Sequence, residues 1–385
     1  MPNLPVHVDF EAFVNDKGKR VSNDLTAELQ DRVRHAADAS LPLRLEGNGT
    51  KSGLGRAVDG EILSLSGHSG ILNYQPKELV VTARCGTPLC EIEAALAEQG
   101  QMLPFEPPHF ADASDEGRST LGATLGGTIA CGLSGPARPY AGSARDLVLG
   151  TRVLTGRAEV LRFGGEVMKN VAGYDISRLM TGAFGTLGVL LDISVKVLPI
   201  PTTGRTLVQT CSPAEAIARM TGWAAKPLPI SATCFDGEQL WVRLSGNHGG
   251  VSAAAERIGD EAVDDGEALA FWREQIREQR HPFFAGDAPL WRLSVPPTVA
   301  PLPLPGAQLI EWGGAQRWLR SDAEAEVIRS AVSAVGGHAT LFRGGDRRSE
   351  VFHPLPAGLM TLHREMKRAF DPNGILNPGR LYATL

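Results

Sequence analysis

The sequence predicts an α+β protein of two domains, because a glycine-rich α/β region is followed by a region with an antiparallel α+β pattern. The chain of 385 residues is longer than a typical single domain. Three glycine-rich stretches, residues 46–56, 119–135 and 182–188, lie in its first half. Beyond Pro201 the pattern becomes β-α-β-β, which indicates a second domain.

The composition is that of an ordinary globular protein, with 43% apolar and 21% charged residues. The net charge of -5 is small, and no Lys/Arg stripe with interleaved aromatic residues occurs, which argues against nucleic-acid binding. The five cysteines form neither a CxxC pair nor an iron–sulfur spacing, so we expect free thiols, no cluster and a reducing cytoplasm. No apolar run reaches the roughly 18 residues of a membrane span, so membrane contact is expected only through partners.

The first forty residues are expected to form an extension followed by a helix. Leu29, Val33 and Ala36 recur at helical spacing and predict the buried face of that helix. A short strand at residues 43–45 then leads into the first glycine-rich stretch.

This first stretch, residues 46–56, contains four glycines. It offers backbone N–H groups, the Thr50 hydroxyl and the Lys51 cation, a combination that suits an anion. Its spacing matches neither a Walker loop nor a Rossmann fingerprint, so a solvated turn stays open as the alternative.

A strand at residues 78–83 is expected to precede a helix with clear boundaries. Thr87 is predicted as the N-cap, Pro88 as the first helical residue and Gly100 as the stop signal. The predicted inward face of this helix consists of Leu89, Ile92 and Leu96.

The second stretch, residues 119–135, holds five glycines among small hydroxyl and apolar residues and carries no charge. Such a composition predicts neither a good helix nor an ordinary strand. We therefore expect its backbone to form a neutral wall against a large planar cofactor. Several adjacent β-bulges are the structural alternative.

In the third stretch, Gly182, Gly185 and Gly188 precede a run of strict alternation from residue 191 to residue 197. Period two predicts a strand with one buried face, so a glycine-lined bend is expected to enter a half-buried strand. A tight turn in a large sheet is the alternative to a cofactor wall.

The second domain is predicted to begin with a strand at residues 206–210 and a helix opened by a capping box, Ser212 and Glu215. The buried face of that helix is predicted to consist of Ile217, Met220 and Trp223. Further strands are expected at residues 239–244, 307–319 and 339–343, with helices at residues 251–258 and 322–335.

A last helix is predicted near the end of the chain, followed by an Asn-Pro-Gly turn at residues 377–379. The predicted apolar face of this helix consists of Leu359, Leu362, Met366 and Phe370.

Taken together, four segments resemble the FAD-binding domain of the vanillyl-alcohol oxidase / p-cresol methylhydroxylase (VAO/PCMH) family. They read GNGTK, STLGATLGGTIACG, MKNVAGYDISRLMTGAFGTLG and FDPNGILNPGRLY. The resemblance implies a PCMH/VAO-type FAD-binding domain of two α/β subdomains plus a smaller antiparallel α+β cap domain. It divides the chain into an N-terminal extension and helix (1–40), the FAD-binding domain (41–201), the cap (202–345) and a C-terminal segment that returns to the FAD domain (346–385).

The resemblance also implies the residues that bind FAD. We expect non-covalent binding, since no histidine occurs in the first two glycine-rich stretches. The implied FAD-binding residues are Gly47, Asn48, Gly49, Thr50, Lys51, Ser52, Pro107, Pro108, Thr120, Leu121, Gly122, Gly126, Gly127, Ile129, Gly132, Gly182, Gly185, Gly188, Val189 and Asn377.

Within the family, phrases such as GQMLPFEPPHF and GSARDLVLGTRVLTG are similar to the FAD-binding E-type subunits of bacterial glycolate oxidases, also called glycolate dehydrogenases. This implies a complex that oxidises glycolate, or a similar small 2-hydroxy acid, to glyoxylate. Its implied partners are a D-type flavoprotein subunit and an iron–sulfur F subunit that passes electrons to quinone. The implied location is the cytoplasm, or the inner membrane surface through the complex. The alternatives are a non-catalytic flavin-binding or scaffolding subunit and a stand-alone FAD-dependent hydroxy-acid or alcohol oxidase.

The larger D-type relatives carry an H-x-GDGN-x-H metal signature that is absent from this sequence, and its nine histidines form no HxxxH or HExxH pair, so no metal is expected. Oxidation of a hydroxy acid needs a base for the hydroxyl proton and a cation for the carboxylate. Arg343 and His353 are the candidates for these roles. A solvated arginine and an ordinary turn histidine are the alternative interpretations.

Overall fold

The computed structural model describes residues 22–111, 121–165, 174–259 and 261–385. Two antiparallel sheets organise these residues, one of five strands and one of eight. Among the helices in these ranges, none combines the length and the apolar character needed to cross a bilayer.

The first sheet and its helices are built from the segment that ends at Pro199. In chain order these elements are α1 (Thr26–Ala39), β1 (Leu43–Glu46), β2 (Glu61–Ser64), β3 (Ile71–Gln75), β4 (Val80–Arg84), α2 (Leu89–Ala97), β5 (Gln101–Met102), α3 (Leu125–Cys131), α4 (Arg138–Ala141), α5 (Ala144–Leu147), β6 (Val148–Leu154), β7 (Val160–Gly164), α6 (Ile176–Met180), β8 (Val189–Lys196) and β9 (Leu198–Pro199). The five-stranded sheet has the order β3-β4-β8-β6-β7, and β1 pairs with β2 in parallel beside it.

The predicted helix α1 is confirmed, with Leu29, Val33 and Ala36 buried against β1 and β2 residues. The spacing of its apolar residues alone predicts this buried face, because residues three or four positions apart lie on one side of a helix.

Helix α2 also has its predicted inward face, since Leu89, Ile92 and Leu96 are fully buried. The predicted N-cap is wrong: Pro88 occupies that position and no side chain caps the helix. The Thr87 hydroxyl instead accepts a hydrogen bond from the Gly70 N–H at 2.9 Å, and so fixes the preceding loop.

Strand β8 is buried on both faces, so the prediction of a half-buried strand is wrong. It lies in the middle of the five-stranded sheet, and its polar residues find partners on neighbouring strands. The Ser194 hydroxyl lies 2.8 Å from that of Thr82, and the Asp192 carboxylate forms a 3.0 Å ion pair with Arg152. Alternation therefore reflects a polar layer inside the protein and does not mark a solvent face.

The second sheet belongs to the cap. Its elements in chain order are β10 (Thr203–Thr210), α7 (Pro213–Ala224), β11 (Ile230–Phe235), β12 (Gln239–Gly246), α8 (His248–Ile258), β13 (Glu261–Ala262), α9 (Asp265–Leu269), a π-helical segment (Ala270–Arg277), β14 (Leu290–Ser294), β15 (Ala307–Glu311), β16 (Gln316–Arg320), α10 (Ala325–Ser333) and β17 (His338–Arg343). The strand order is β13-β10-β12-β11-β15-β16-β14-β17. Helix α7 has the predicted capping box of Ser212 and Glu215, with Ile217, Met220 and Trp223 buried.

The two faces of the cap sheet have different neighbours. Helices α7, α8 and α10 cover one face, where they form two apolar clusters with the strands. The other face carries Trp241, Trp318 and Phe342, which pack in one cluster with Leu54 and Leu133 of the first domain. This second face is therefore turned toward the glycine-rich stretches.

The last helix, α11 (Ala357–Phe370), returns to the first domain, but only its C-terminal half packs there. Leu359 and Leu362 are 47% and 51% exposed, so the predicted apolar face is wrong for the first two turns. Met366 and Phe370 are partly buried against the first core. After the helix the chain forms a parallel bridge between Leu376 and Leu43.

Candidate functional site

The three glycine-rich stretches and the C-terminal tail enclose a cavity of about 480 Å³. This volume falls within the range of small-molecule and cofactor sites. We refer to it as the main cavity and describe its walls in turn.

The first wall is the turn that follows β1, where Lys51 is only 8% exposed and lines the main cavity. Its ammonium donates a hydrogen bond to the Thr50 hydroxyl at 3.2 Å and forms no ion pair with a described residue. Burial lowers the pKa of Lys51 to about 8, against the opposing influence of Cys131 and Glu278. The cavity thus contains a buried cation that an anion would stabilise.

The second wall contains a helix where the glycine content predicted none, so that prediction is wrong. Thr124 caps α3 by accepting a hydrogen bond from the Gly127 N–H, and Leu125 and Ile129 anchor the helix in the core. Gly126 permits the close approach, because a Cβ there would lie 2.5 Å from the Cβ of Cys85. Tertiary packing has overridden the low helix propensity of glycine.

The third wall is the bend before β8, which has left-handed backbone conformation at Gly182, Phe184 and Gly185. Glycine adopts this conformation without strain, which explains two of the three positions. The Gly182 and Phe184 N–H groups donate to carbonyls of Ile129 and Ala130 at 3.0 and 2.8 Å. These bonds attach the third wall to α3.

The C-terminal tail closes the main cavity. The Asn377 side-chain amide donates to the Phe184 carbonyl at 2.6 Å, and its oxygen accepts from the Leu45 N–H at 2.8 Å. Arg380 donates to the carbonyls of Ser52 and Arg56 at 3.0 and 2.9 Å. The tail therefore joins the first wall to the third.

Of the predicted FAD-binding residues, nine line the main cavity: Gly47, Gly49, Lys51, Ser52, Gly126, Gly127, Gly185, Gly188 and Asn377. The others do not line it: Asn48, Thr50, Pro107, Pro108, Leu121, Gly122, Ile129, Gly132, Gly182 and Val189. Asn48, for example, joins two walls by donating to the Gly122 carbonyl at 2.9 Å. Thr120 lies outside the described residues.

Sequence reasoning missed several charged residues and one thiol of the main cavity: Arg44, Glu46, Asp59, Cys131 and Arg380. No local sequence pattern marks these residues, because they occur in strands or beside glycines and do not form a motif with a recognisable spacing. For Cys131, burial raises the pKa, and the positive charges of Lys51, Arg380 and Arg292 act in the opposite direction.

Neither catalytic candidate lines the main cavity. Arg343 is exposed at the edge of the cap, where its guanidinium donates to the Gln279 side-chain oxygen at 2.7 Å. His353 belongs to the C-terminal segment and contacts the cap, where its Nδ1 accepts from the Ala339 N–H at 3.3 Å and its Nε2 lies 3.2 Å from the Ser333 hydroxyl. Both remain predictions that the geometry does not bring together.

A second, small cavity of about 20 Å³ lies at the boundary between the two domains. Phe110 and Leu133 line it from the first domain, and Arg292, Glu311 and Trp318 line it from the cap sheet. We refer to it as the boundary cavity. Burial raises the pKa of Glu311 to about 7, although hydrogen bonds from Trp318 and a neighbouring glutamine act in the opposite direction.

Comparison with known protein families identifies FAD-related domains at both ends of the chain. Residues 24–164 match the model of an FAD binding domain, and residues 344–381 match the C-terminal domain of FAD-linked oxidases. The glycolate oxidase subunit GlcE of Escherichia coli strain K12 is 50% identical over 362 residues, which cover 94% of this chain and 99% of that protein. The glycolate oxidase subunit GlcD of Bacillus subtilis strain 168 is 28% identical over 221 residues, 56% of this chain and 45% of that protein.

Solved structures show the same fold at low sequence identity. p-Cresol methylhydroxylase with bound substrate aligns with a TM-score of 0.67 at 15% identity, covering 94% of this chain and 88% of that chain. Alkyldihydroxyacetonephosphate synthase aligns with a TM-score of 0.64 at 16% identity, covering 91% and 75%. The fold is therefore the predicted PCMH/VAO-type α+β architecture with a cap.

The cofactor of such a domain is FAD, and the residues of the main cavity fit it. A Cβ at position 47 would lie 2.5 Å from the Thr124 hydroxyl, so Gly47 lets backbone form the wall. Lys51 and Arg380 supply positive charge, and neither forms an ion pair with a described residue. Backbone walls and unpaired cations suit a large cofactor that carries a pyrophosphate.

Proposed function

The chain belongs to the family of FAD-linked oxidases that includes the glycolate oxidase subunit GlcE, and on that premise we propose that it is the FAD-binding subunit of a glycolate oxidase complex. The complex oxidises glycolate, or a similar small 2-hydroxy acid, to glyoxylate. The observation that carries this proposal is the 50% identity to GlcE over nearly the full length of both chains. The main cavity and its cationic residues support it.

Each part of the main cavity has a role in this proposal. Lys51 and Arg380 hold the FAD pyrophosphate, while the glycines of the three walls let backbone approach the cofactor. When bound, FAD supplies the flavin that accepts a hydride from the α-carbon of the substrate. The cap sheet excludes water from the cavity mouth with the aromatic residues of its inner face.

The proposed partners are a D-type flavoprotein subunit and an iron–sulfur F subunit that passes electrons to quinone. The similarity to both GlcE and GlcD supports a complex of several subunits. We place the chain in the cytoplasm, or at the inner membrane surface through the complex, and its five free cysteines support a reducing compartment.

One observation favours a second function, that of a flavin-binding subunit that relays electrons without meeting the substrate. The boundary cavity of about 20 Å³ has room for about one water-sized group, so a substrate would need some opening of the cap.

An anaerobic absorbance spectrum of the purified FAD-loaded chain separates these functions. Bleaching of the flavin spectrum on addition of glycolate to the chain alone is the result expected for a catalytic subunit. If the spectrum stays oxidised until the partner subunits are added, the relay function is correct. A purified chain that contains no FAD under any condition would overturn both.

A further inference from the structure

Lys367 lies near the end of α11, where the proposed function gives it no role. It is only 7% exposed, and its ammonium has three acceptors. The ammonium donates to the Thr186 carbonyl at 2.8 Å, to the Leu376 carbonyl at 2.7 Å and to Asp371 Oδ2 at 2.6 Å. A buried lysine whose three N–H groups all have acceptors is held in one position.

The first acceptor belongs to the third wall of the main cavity. Thr186 is buried, and its N–H and its hydroxyl both donate to the Ala183 carbonyl, at 3.0 and 2.7 Å. The turn that these bonds close contains residues 183–185, which line the main cavity. The ammonium therefore holds this turn through a residue that does not itself line the cavity.

The second acceptor belongs to the C-terminal tail. Leu376 directly precedes Asn377, which lines the main cavity, and both residues are buried. The Asp371 carboxylate accepts hydrogen bonds from the N–H groups of Ile375 and Leu376 at 3.2 and 2.8 Å. The ion pair between Lys367 and Asp371 therefore holds the stretch of tail that leads into the cavity.

One carbonyl of the third wall and one carbonyl of the tail thus share a single donor. Within the described part of the chain, no other group donates to the Thr186 or the Leu376 carbonyl. Burial lowers the pKa of Lys367, and the Asp371 carboxylate acts in the opposite direction. Loss of the ammonium would leave two buried carbonyls without a donor and a buried carboxylate without its cation, which is costly.

We propose that Lys367 is a positioning residue for FAD, and that its ammonium sets the spacing between the third wall and the C-terminal tail. Lys367 itself does not line the main cavity, so it acts through Gly185 and Asn377, which do. The proposal rests on the proposed function only for FAD as the ligand and does not depend on the substrate. The competing explanation is an ion pair that stabilises the fold and has no effect on the cofactor.

The test compares the dissociation constant of FAD with the melting temperature in wild type, Lys367→Met, Lys367→Arg and Arg317→Met. The FAD-loaded full chain is diluted well below its unfolding temperature, and flavin fluorescence measures the FAD released. Arg317 is the matched control, because it is also a fully buried cation that donates to backbone carbonyls. The carbonyls it binds, those of Ala300 and Gly314 among them, belong to the cap, and these residues do not line the main cavity.

Both Lys367→Met and Arg317→Met should melt at a lower temperature than wild type, because each leaves buried carbonyls without a donor. Only Lys367→Met should raise the dissociation constant of FAD, by at least about tenfold, while Arg317→Met stays within about twofold of wild type. In Lys367→Arg the guanidinium again supplies a positive charge with several donors. Its FAD affinity should therefore lie between those of wild type and Lys367→Met.

A double variant covers the case in which the unpaired Asp371 carboxylate prevents Lys367→Met from folding. Lys367→Met combined with Asp371→Asn removes both charges together, and its dissociation constant for FAD should also rise at least about tenfold. A wild-type dissociation constant in whichever of these variants folds, or an equal rise in Arg317→Met, would overturn the positioning role.

The proposed function is tested separately, by glycolate oxidation in the assembled complex. FAD affinity that depends on Lys367 in a complex inactive toward glycolate would support the positioning role and refute glycolate as the substrate.

Discussion

A single amide holds two walls of the cofactor cavity together. Asn377 has a left-handed backbone and is almost fully buried, and its side chain both donates to the third wall and accepts from the first. A Cβ at Gly185 would lie 2.8 Å from this amide nitrogen, so the Asn377 side chain packs closely against the backbone of residue 185. The residue thus joins two walls of a cavity that it also lines.

Replacing Asn377 with alanine should weaken FAD binding. Two buried hydrogen bonds are lost, at roughly 1 kcal/mol each, and the Leu45 N–H is left without its acceptor. The measurement is the dissociation constant of FAD for the refolded apoprotein, by fluorescence. Asn373→Ala is the control, because that exposed amide in the same tail donates only to the Ala37 carbonyl at 3.2 Å. Equal FAD affinities in the two variants would contradict the bridging role.

Glu311 should make the stability of the protein depend on pH. Burial raises its folded-state pKa from 4.5 to about 7, so the folded protein holds a proton that the unfolded chain releases. The contribution of the protonated Glu311 side chain to the free energy of unfolding is fully present below about pH 4.5 and is lost as the pH rises through 7. At pH 8, Glu311→Gln should therefore be more stable than wild type by up to about 3 kcal/mol, and the difference should shrink toward pH 5.

Urea unfolding of the wild-type and Glu311→Gln chains at pH 5 and pH 8 measures this difference. Glu256→Gln, which changes an exposed carboxyl on α8, is the control and should show the same difference at both pH values. A Glu311→Gln difference that does not change with pH would refute a buried carboxyl that titrates near neutrality.

At the scale of single residues, the sequence predicted the glycines of the cofactor cavity better than its charged side chains. Lys51 could be found because it directly follows a glycine-rich turn. Arg380 could not, because its position against the Lys51 and Ser52 carbonyls joins residues more than 300 positions apart. Arg292 carried no signal either, since one arginine in an alternating strand reads as a solvent-facing residue until the first domain covers that face.

At the scale of elements, α3 shows how tertiary contacts decide the state of a glycine-rich segment. Its Gly126 N–H donates to the Cys85 carbonyl at 2.7 Å, so this turn of helix rests directly on the end of β4. No residue with a Cβ fits there without movement of the backbone of residue 85.

We therefore expect Gly126→Ala to destabilise the protein by about 1–3 kcal/mol through overpacking, in spite of the better helix propensity of alanine. Gly127→Ala should be near neutral, because its nearest contact would be the Thr124 hydroxyl at 3.2 Å. Thermal unfolding of both variants, with and without FAD, is the measurement. A Gly126 variant as stable as the Gly127 variant would mean that the close contact with Cys85 is relaxed at little cost.

Hydrophobic periodicity predicted the elements with one buried face, such as α1 and α7. It failed for elements that are buried on both faces, are very short, or are buried over only part of their length. The two-sided burial of β8 depends on Arg152 and Thr82, which approach only in the assembled sheet. Strands β11 and β14 were missed, because segments of five or six residues carry too little pattern to separate them from loops. The apolar residues of α11 keep helical spacing along the whole helix. This spacing does not show that only the C-terminal half of the helix packs against the core.

At the scale of the whole molecule, ion pairs attach the cap to the first domain. Arg243 of β12 lies 2.8 Å from Glu106 of the proline-rich segment, with both side chains less than one-fifth exposed. Glu278, which follows the π-helical segment, accepts hydrogen bonds from the backbone N–H groups of His109 and Phe110. The cap is therefore anchored on residues 106–110.

A double-mutant cycle with Glu106→Gln and Arg243→Met should give a coupling free energy of about 0.5–3 kcal/mol in urea unfolding. The pair between Arg348 and Asp59 is the control, since it has a similar 2.7 Å distance but side chains that are 69% and 77% exposed. Solvent screens that pair, so its cycle should show no measurable coupling. Equal coupling in both cycles would show that burial at the boundary does not strengthen the first pair.

The closure of the cofactor cavity by the C-terminal tail has a consequence for biosynthesis. A ribosome makes the three glycine-rich walls first, then the entire cap, and only afterwards residues 377 and 380 that join those walls. Since domains generally fold in the order in which they emerge, the nascent FAD domain must wait, with its cavity open on one side, until the cap has been synthesised. Cofactor loading is then a late step, and translation that stalls within the cap leaves a chain with all its glycine walls and no means of closing them around FAD.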